Sequence, residues 1–255
     1  MSRRLAKTLA LTTGLVLVLC ASAFALRGEI GNTVVSSTAT VTPRELPASG
    51  GASITLQSVT RIRNKDGTPP QVLSSIDFVV DKHGYLETKG VPVCTVAKLG
   101  GTTSSQARKR CAGALVGTGT VKALVNLPGQ PQTTMTSPVS FFNGPKQGGR
   151  PTLVGHTYET LPAPKALLVE VPVRRVSKGR YGFAVEVALP RLAEGYGTPV
   201  LAEATVGRTW RKRGREVGYL TAHCSGGRLQ VKGKLNFANG DIFPALFSSP
   251  CRVPR

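Results

Sequence analysis

Ile54-Thr55-Leu56-Gln57-Ser58-Val59-Thr60-Arg61-Ile62-Arg63 is the stretch on which the fold turns. Ile54, Leu56, Ser58, Thr60 and Ile62 share one mostly apolar face, while Thr55, Gln57, Val59, Arg61 and Arg63 share the other. A period of two is that of a half-buried β-strand. Asn64-Lys65-Asp66-Gly67 then turns the chain, and Pro69-Pro70 forbids a helix.

The same texture continues to the C-terminal region. Val72–Val80 carries Ile76, Phe78 and Val80 at spacing two, and Asp81-Lys82-His83-Gly84 is expected to fold Tyr85–Thr88 back on it as a hairpin. Further strands are expected at Ala114–Leu127, Val139–Phe142, Thr152–Leu161, Ala166–Val176, Tyr181–Leu189, Val200–Arg211, Glu216–His223 and Arg228–Phe237. Gly117-x-Gly119 within the first of these marks a bulge or a close approach of two backbones. Asn239-Gly240-Asp241 is a turn, and a tail holding Cys251 follows it. One short helix is expected between Cys94 and Cys111, with N-cap hydroxyls at Thr103-Ser104-Ser105 and helix formers from Gln106. Many short strands joined by Gly/Pro turns, with no long amphipathic helix, predict an all-β fold: an antiparallel β-sandwich or a partly open barrel.

Toward the N-terminus the composition changes. Residues 26–53 are rich in Thr, Ser, Gly and Pro and are expected as a flexible arm or linker, with an edge strand at Thr33–Val41. Residues 54–255 form the single β-rich domain. Met1–Ala25 reads as a secretory signal peptide: Arg3, Arg4 and Lys7, then an uncharged run around Leu15-Val16-Leu17-Val18-Leu19, then Ala23-Phe24-Ala25. Cleavage is expected near Ala25, releasing a secreted or cell-surface protein. The alternative is an uncleaved N-terminal membrane anchor, since the apolar run reaches the lower end of a bilayer span. Leu19 stands where a lipoprotein would need a small residue before Cys20, so Cys20 is assigned to the leader.

The chain holds 33 Lys and Arg against 13 Asp and Glu, a formal charge of +20. Loss of Arg3, Arg4 and Lys7 leaves +17 on the mature chain. Such a field attracts polyanions, and outside the cytoplasm these are anionic wall polymers or membrane surfaces rather than nucleic acid. Excess charge also serves solubility alone. Aromatic residues are sparse (one Trp, five Tyr, eight Phe), so the core rests on Val, Leu, Ala and Ile.

Four cysteines remain after the leader: Cys94, Cys111, Cys224 and Cys251. An even number in an exported chain reads as two disulfides. Pairing Cys94 with Cys111 and Cys224 with Cys251 gives each bridge a short excursion between strands. Zinc ligation with His223 beside Cys224 is the alternative, but no C-x₂-C spacing supports it.

Catalytic patterns are weak. The chain has no G-x-S-x-G elbow and no H-E-x-x-H helix. His83 is expected in a turn, where a solvated histidine is ordinary; His156 or His223 could meet Asp77, Asp81 or Asp241 only through the fold, which leaves an unrecognised secreted hydrolase as the alternative function. Glu170 and Glu186 fall on neighbouring expected strands, and a carboxylate pair there would suit glycoside hydrolysis. Asn236–Asp241 is the nearest approach to a calcium loop. No cofactor is implied, and no small-molecule ligand follows from these residues. The most pointed feature is Arg208-Thr209-Trp210-Arg211-Lys212-Arg213-Gly214-Arg215. A basic β-hairpin with one aromatic can lie on phosphates and stack on a base or sugar, making Arg208, Trp210, Arg211, Lys212, Arg213 and Arg215 anion-binding candidates. It can equally be a charged edge that keeps strands from pairing with other chains. Arg108-Lys109-Arg110 and Arg174-Arg175 are candidates to extend the patch.

Several segments together carry a resemblance: Lys82-His83-Gly84-Tyr85, Thr88-Lys89-Gly90-Val91-Pro92-Val93-Cys94, Arg110-Cys111, Val116-Gly117-Thr118-Gly119, Tyr181-Gly182-Phe183, Val206-Gly207-Arg208-Thr209 and Tyr219-Leu220-Thr221-Ala222-His223-Cys224. Over most of Val72–Cys251 the chain resembles a family of uncharacterised exported β-rich proteins of GC-rich actinobacteria. The resemblance implies one exported β-rich domain with paired cysteines; it implies no activity and no functional residue. The reading is therefore a non-enzymatic binding or structural protein of the cell envelope with a basic surface.

Overall fold

In the computed structural model, which describes residues 25–212 and 214–254, the alternation first read at Ile54 runs through one strand from Ala52 to Asn64. In chain order the strands are β1 (Ala25–Ile30), β2 (Thr33–Thr42), β3 (Ala52–Asn64), β4 (Leu73–Asp81), β5 (Gly84–Leu86), β6 (Leu115–Val125), β7 (Thr133–Asn143) and β8 (Thr152–Glu159). They continue as β9 (Lys165–Lys178), β10 (Tyr181–Ala188), β11 (Gly197–Val206), β12 (Thr209–Lys212), β13 (Arg215–Gly218), β14 (Leu220–Ala222), β15 (Arg228–Phe237) and β16 (Ile242–Pro250). Two short helices, α1 (Val96–Leu99) and α2 (Ser104–Arg110), lie between Cys94 and Cys111.

One antiparallel sheet holds almost everything, in the order β1-β2-β3-β11-β6-β7-β8-β9-β10-β4-β15-β16. It curls into a nearly closed barrel. Its two ends approach each other: a Cβ on Gly28 of β1 would lie 2.7 Å from the ring of Phe243 in β16. Register and alternation give one consistent inner face. Ile62 faces Val35 across β2 and β3, Leu235 lies between Ile76 and Phe243, and all these join one apolar cluster with Leu73 and Phe237. The neighbouring cluster of Ala123, Val125, Met135, Leu192 and Ala193 lies toward the same end. Toward the other end β14 pairs with both the start of β3 and β5, extending the same sheet off its main path. Leu86 and Leu220 of this extension pack on Val91, Val116 and Tyr219, and a further cluster holds Leu46, Ala222, Leu229 and the Cys224–Cys251 bridge.

The disulfides join Cys94 to Cys111 and Cys224 to Cys251, with Cα–Cα distances of 5.8 and 5.7 Å, inside the range a disulfide spans. The first pins the helical excursion to the barrel's outer wall, where Leu99 and Ala107 cover Phe142 and Val154. Thr103 caps α2 as its sequence predicts. Its hydroxyl accepts the Gln106 N–H, and the Gln106 side chain returns the bond to the Thr103 N–H. The expected single helix is two, because Gly100-Gly101 ends α1 after one turn.

Three expectations change. Residues 26–42 do not hang as an arm: β1 and β2 are paired along their whole lengths, and Val34 and Val35 of β2 are buried. Tyr85–Thr88 does not return on β4, because β4 is already flanked by β10 and β15; β5 pairs with β14 instead. The tail before Cys251 is a full strand, β16, held by β15 from Asn236↔Ile242 to Arg228↔Pro250. The expected leader lies outside the described residues, apart from Ala25. Among the described residues no helix is long and apolar enough to cross a membrane, a statement about helices only.

Candidate functional site

The basic hairpin forms, but as a separate two-stranded ribbon of β12 and β13, because the expected strands Val200–Arg211 and Glu216–His223 are each broken, at Gly207-Arg208 and at Tyr219. Period-two alternation sorts its side chains. Trp210 and Val217 face each other, and the half-buried indole packs among Val91, Val116 and Tyr219. Arg208, at the foot of the ribbon, donates through one guanidinium nitrogen to the carbonyls of Ala112, Gly113 and Leu115. It thereby ties the ribbon to the short turn after α2. These two of the six candidates fasten the hairpin, and the cations beyond them form its outer part. Arg211 stands across from Glu216, and Lys212 directly across from Arg215. Among the described residues none of Arg211, Lys212 and Arg215 is in an ion pair. Arg213 lies outside the described residues.

The candidate extensions separate. Arg108 Nε donates to Ser140 Oγ at 3.0 Å, beside a shallow outer hollow of about 460 Å³ that also holds Glu203, Thr118 and Thr120. Arg174 is bound by Glu186. Arg175 instead reaches a second cavity, of about 310 Å³, between the edge strand β5 and the rim of β9 and β10. Tyr85, Leu86, Val173 and Phe183 supply its apolar wall, and Lys89, Lys146 and Arg175 its cations. This cavity adjoins the hairpin through one residue: a Cβ on Gly90 would lie 3.5 Å from Trp210 Nε1.

Beside the cavity His83 and His223 form a connected group. Buried Asp81 accepts from His83 Nδ1 at 2.7 Å, from Arg180 Nε at 2.7 Å and from the Gln230 N–H at 3.2 Å. The His83 ring meets His223 edge-on at 4.7 Å, and His223 stacks on Tyr85 at 5.8 Å. Asp81 holds the β4–β5 turn, the β9–β10 turn and β15 together. Neither His156 nor His223, the histidines considered for a triad, has a hydrogen bond to an Asp among the described residues; the Asp81 contact belongs to His83, the histidine expected as a solvated turn residue. His156 is buried on the outer wall beneath the helical excursion, with Nε2 near the Thr102 carbonyl at 3.0 Å. Burial holds its pKa below the usual value, against the pull of the Thr102 carbonyl; the nearby positive charge of Arg108 lowers it further.

The other proposed constellations are engaged within the fold. Glu170 and Glu186 do fall on paired neighbouring strands, β9 and β10, but Glu186 is held by Arg174. Asn236 donates to Ser75 and Asp77, and Asp241 bonds within its own turn to Asn239. Among the described residues all four cysteines are committed to disulfides. The rim cavity was missed by sequence reading because its residues come from four separate segments. Each looks ordinary alone, and only the lone edge strand β5 brings them together.

In comparison with known proteins, no family model matches this chain and no curated protein matches it in sequence.

Proposed function

We propose that this is an exported, non-enzymatic protein of the cell envelope that binds an anionic polymer or membrane surface through its basic hairpin. The carrying observation is the placement of Lys212 opposite Arg215 at the tip of a ribbon that shares no ladder with the main sheet. Like charges directly across a strand pair are destabilising. A ribbon that keeps them there is suited to an anion that neutralises them. Arg208 and Trp210 support this by anchoring the ribbon, which limits the ordering entropy lost on binding. Two disulfides fit an oxidising compartment, and the mature charge of +17 favours encounter with any anionic surface there.

The test is cosedimentation of the chain beginning at Leu26 with anionic vesicles and with purified anionic wall polymer, across a salt series. Binding should weaken steeply with salt. The triple variant Arg211→Gln, Lys212→Gln, Arg215→Gln should lose most of it at an unchanged melting temperature. Salt-independent binding, or binding that survives the triple variant, sinks the proposal.

A further inference from the structure

We infer that the rim cavity is a binding site for a small organic anion with an apolar body, a phosphate or carboxylate carried on an aliphatic or aromatic skeleton. The site is distinct from the hairpin face and does not depend on the function proposed for it. Its volume, about 310 Å³, lies at the lower end of ordinary small-molecule sites. Lys89, Lys146 and Arg175 line it from three segments, and none is in an ion pair among the described residues. The one acid in the wall, Glu87, directs Oε1 to the Lys89 backbone N–H at 2.7 Å. The cavity therefore holds a net positive charge that only an incoming anion offsets.

The other half of the recognition is apolar. Tyr85 is 43% exposed, unusually open for a large ring, and meets Phe183 edge-to-face at 6.4 Å. Its orientation is set from behind by the stacked His223 ring and by the His223 N–H donated to the His83 carbonyl at 3.1 Å. Val173 and Leu86 complete a surface that a bare inorganic ion would leave unused. Cations in the lining and an aromatic wall held from behind select for an anion and an apolar body joined in one molecule.

Trp210, the single tryptophan, reports on the site, because Gly90 links the cavity's Lys89 to its indole. The experiment titrates octyl phosphate, octanoate, inorganic phosphate and octanol into the chain beginning at Leu26, reading Trp210 emission and heat. The expected result is saturable one-to-one binding of an octyl anion at least tenfold tighter than inorganic phosphate or octanol; the ratio of octyl phosphate to octanoate identifies the preferred headgroup. Arg175→Gln with Lys146→Gln should weaken that binding at least tenfold, and Tyr85→Ala should weaken it with the cations intact. The hairpin variant Arg211→Gln, Lys212→Gln, Arg215→Gln should leave it unchanged, which separates this site from the polymer-binding face. Equal affinity for inorganic phosphate, no binding of either octyl anion, or no effect of the Arg175/Lys146 variant in a chain of unchanged melting temperature would overturn the inference.

Discussion

Gly119 shows how far a single residue can be read from sequence. The Gly117-x-Gly119 pair in an otherwise β-branched run implies a bulge or a close backbone approach, and both occur. The register slips between Leu115 and Gly117, and a Cβ on Gly119 would lie 2.0 Å from the Glu203 carbonyl oxygen. Gly119→Ala should therefore destabilise the protein by about 1–3 kcal/mol, the usual range for overpacking. Gly155→Ala, whose new Cβ would meet nothing nearer than 3.8 Å, should be neutral or stabilising by up to ~1 kcal/mol. Paired urea melts at one pH decide it; equal losses would refute the steric argument. His156 could not be assigned to core or solvent from sequence, because a strand presents both faces and the covering helices come from 50 residues earlier. Its depressed pKa has a definite sign. Below the ordinary histidine range the unfolded chain takes up a proton that the native state refuses, so stability is complete above about pH 6.5 and falls as the solution is acidified. His156→Gln should flatten the stability profile between pH 7 and 5, where one such proton accounts for at most about 1.4 kcal/mol per pH unit. An unchanged slope would show that other groups carry it.

At the scale of elements, local chemistry was legible and partnership was not. The α2 cap, the hairpin tip at 212–215 and the span of β15 all follow from caps, turn residues and alternation. The partner of β5 does not, since nothing in Gly84–Leu86 says that β4 is already filled on both sides. β1 was hidden by Gly28 and Gly31, which read as linker, although Gly28 is there because Phe243 occupies the space of a side chain. The rim cavity fails to show for the same reason as β5: it is a product of pairing. The cysteine pairing was legible because each bridge closes a local excursion. With partners 17 and 27 positions apart in sequence, removing either bridge as a Cys→Ser pair should lower stability by roughly 3–4 kcal/mol in the chain-entropy model. Loss of the Cys94 bridge should also loosen α1 and α2, raising amide exchange over 95–111 while β15 stays protected. Alkylation should find none of these four thiols before reduction and all four after it; a thiol modified without reduction would contradict the pairing.

The whole molecule is governed by closure. Alternation predicts a shared apolar face for every strand but not the jumps from β3 to β11 to β6 or from β10 to β4 to β15 that lay those faces around one interior. An open sheet of this length would leave two unpaired edges, which invite pairing with other chains. Here the first and last strands meet instead, with Leu26 and Ile30 packed into the cluster that contains Phe243 and Ala245. β2 is paired with β3 from Thr33↔Asn64 to Thr42↔Thr55. Residues 26–42 are thus a structural part of the barrel wall, and their removal should do more than shorten a tail. A chain beginning at Leu26 should melt cooperatively, because it retains the paired residues of β1 from Leu26 onward. A chain beginning at Pro43 would expose Ile62, Phe243 and two long edges at once; it should lose cooperative melting and aggregate on concentration. Amides of β2 should exchange as slowly as those of β3 in the longer chain. If the Pro43 chain melts at the same temperature and stays dispersed, the seam between β1 and β16 carries no stability, and the barrel would have to be described as an open sheet with an appended N-terminal hairpin.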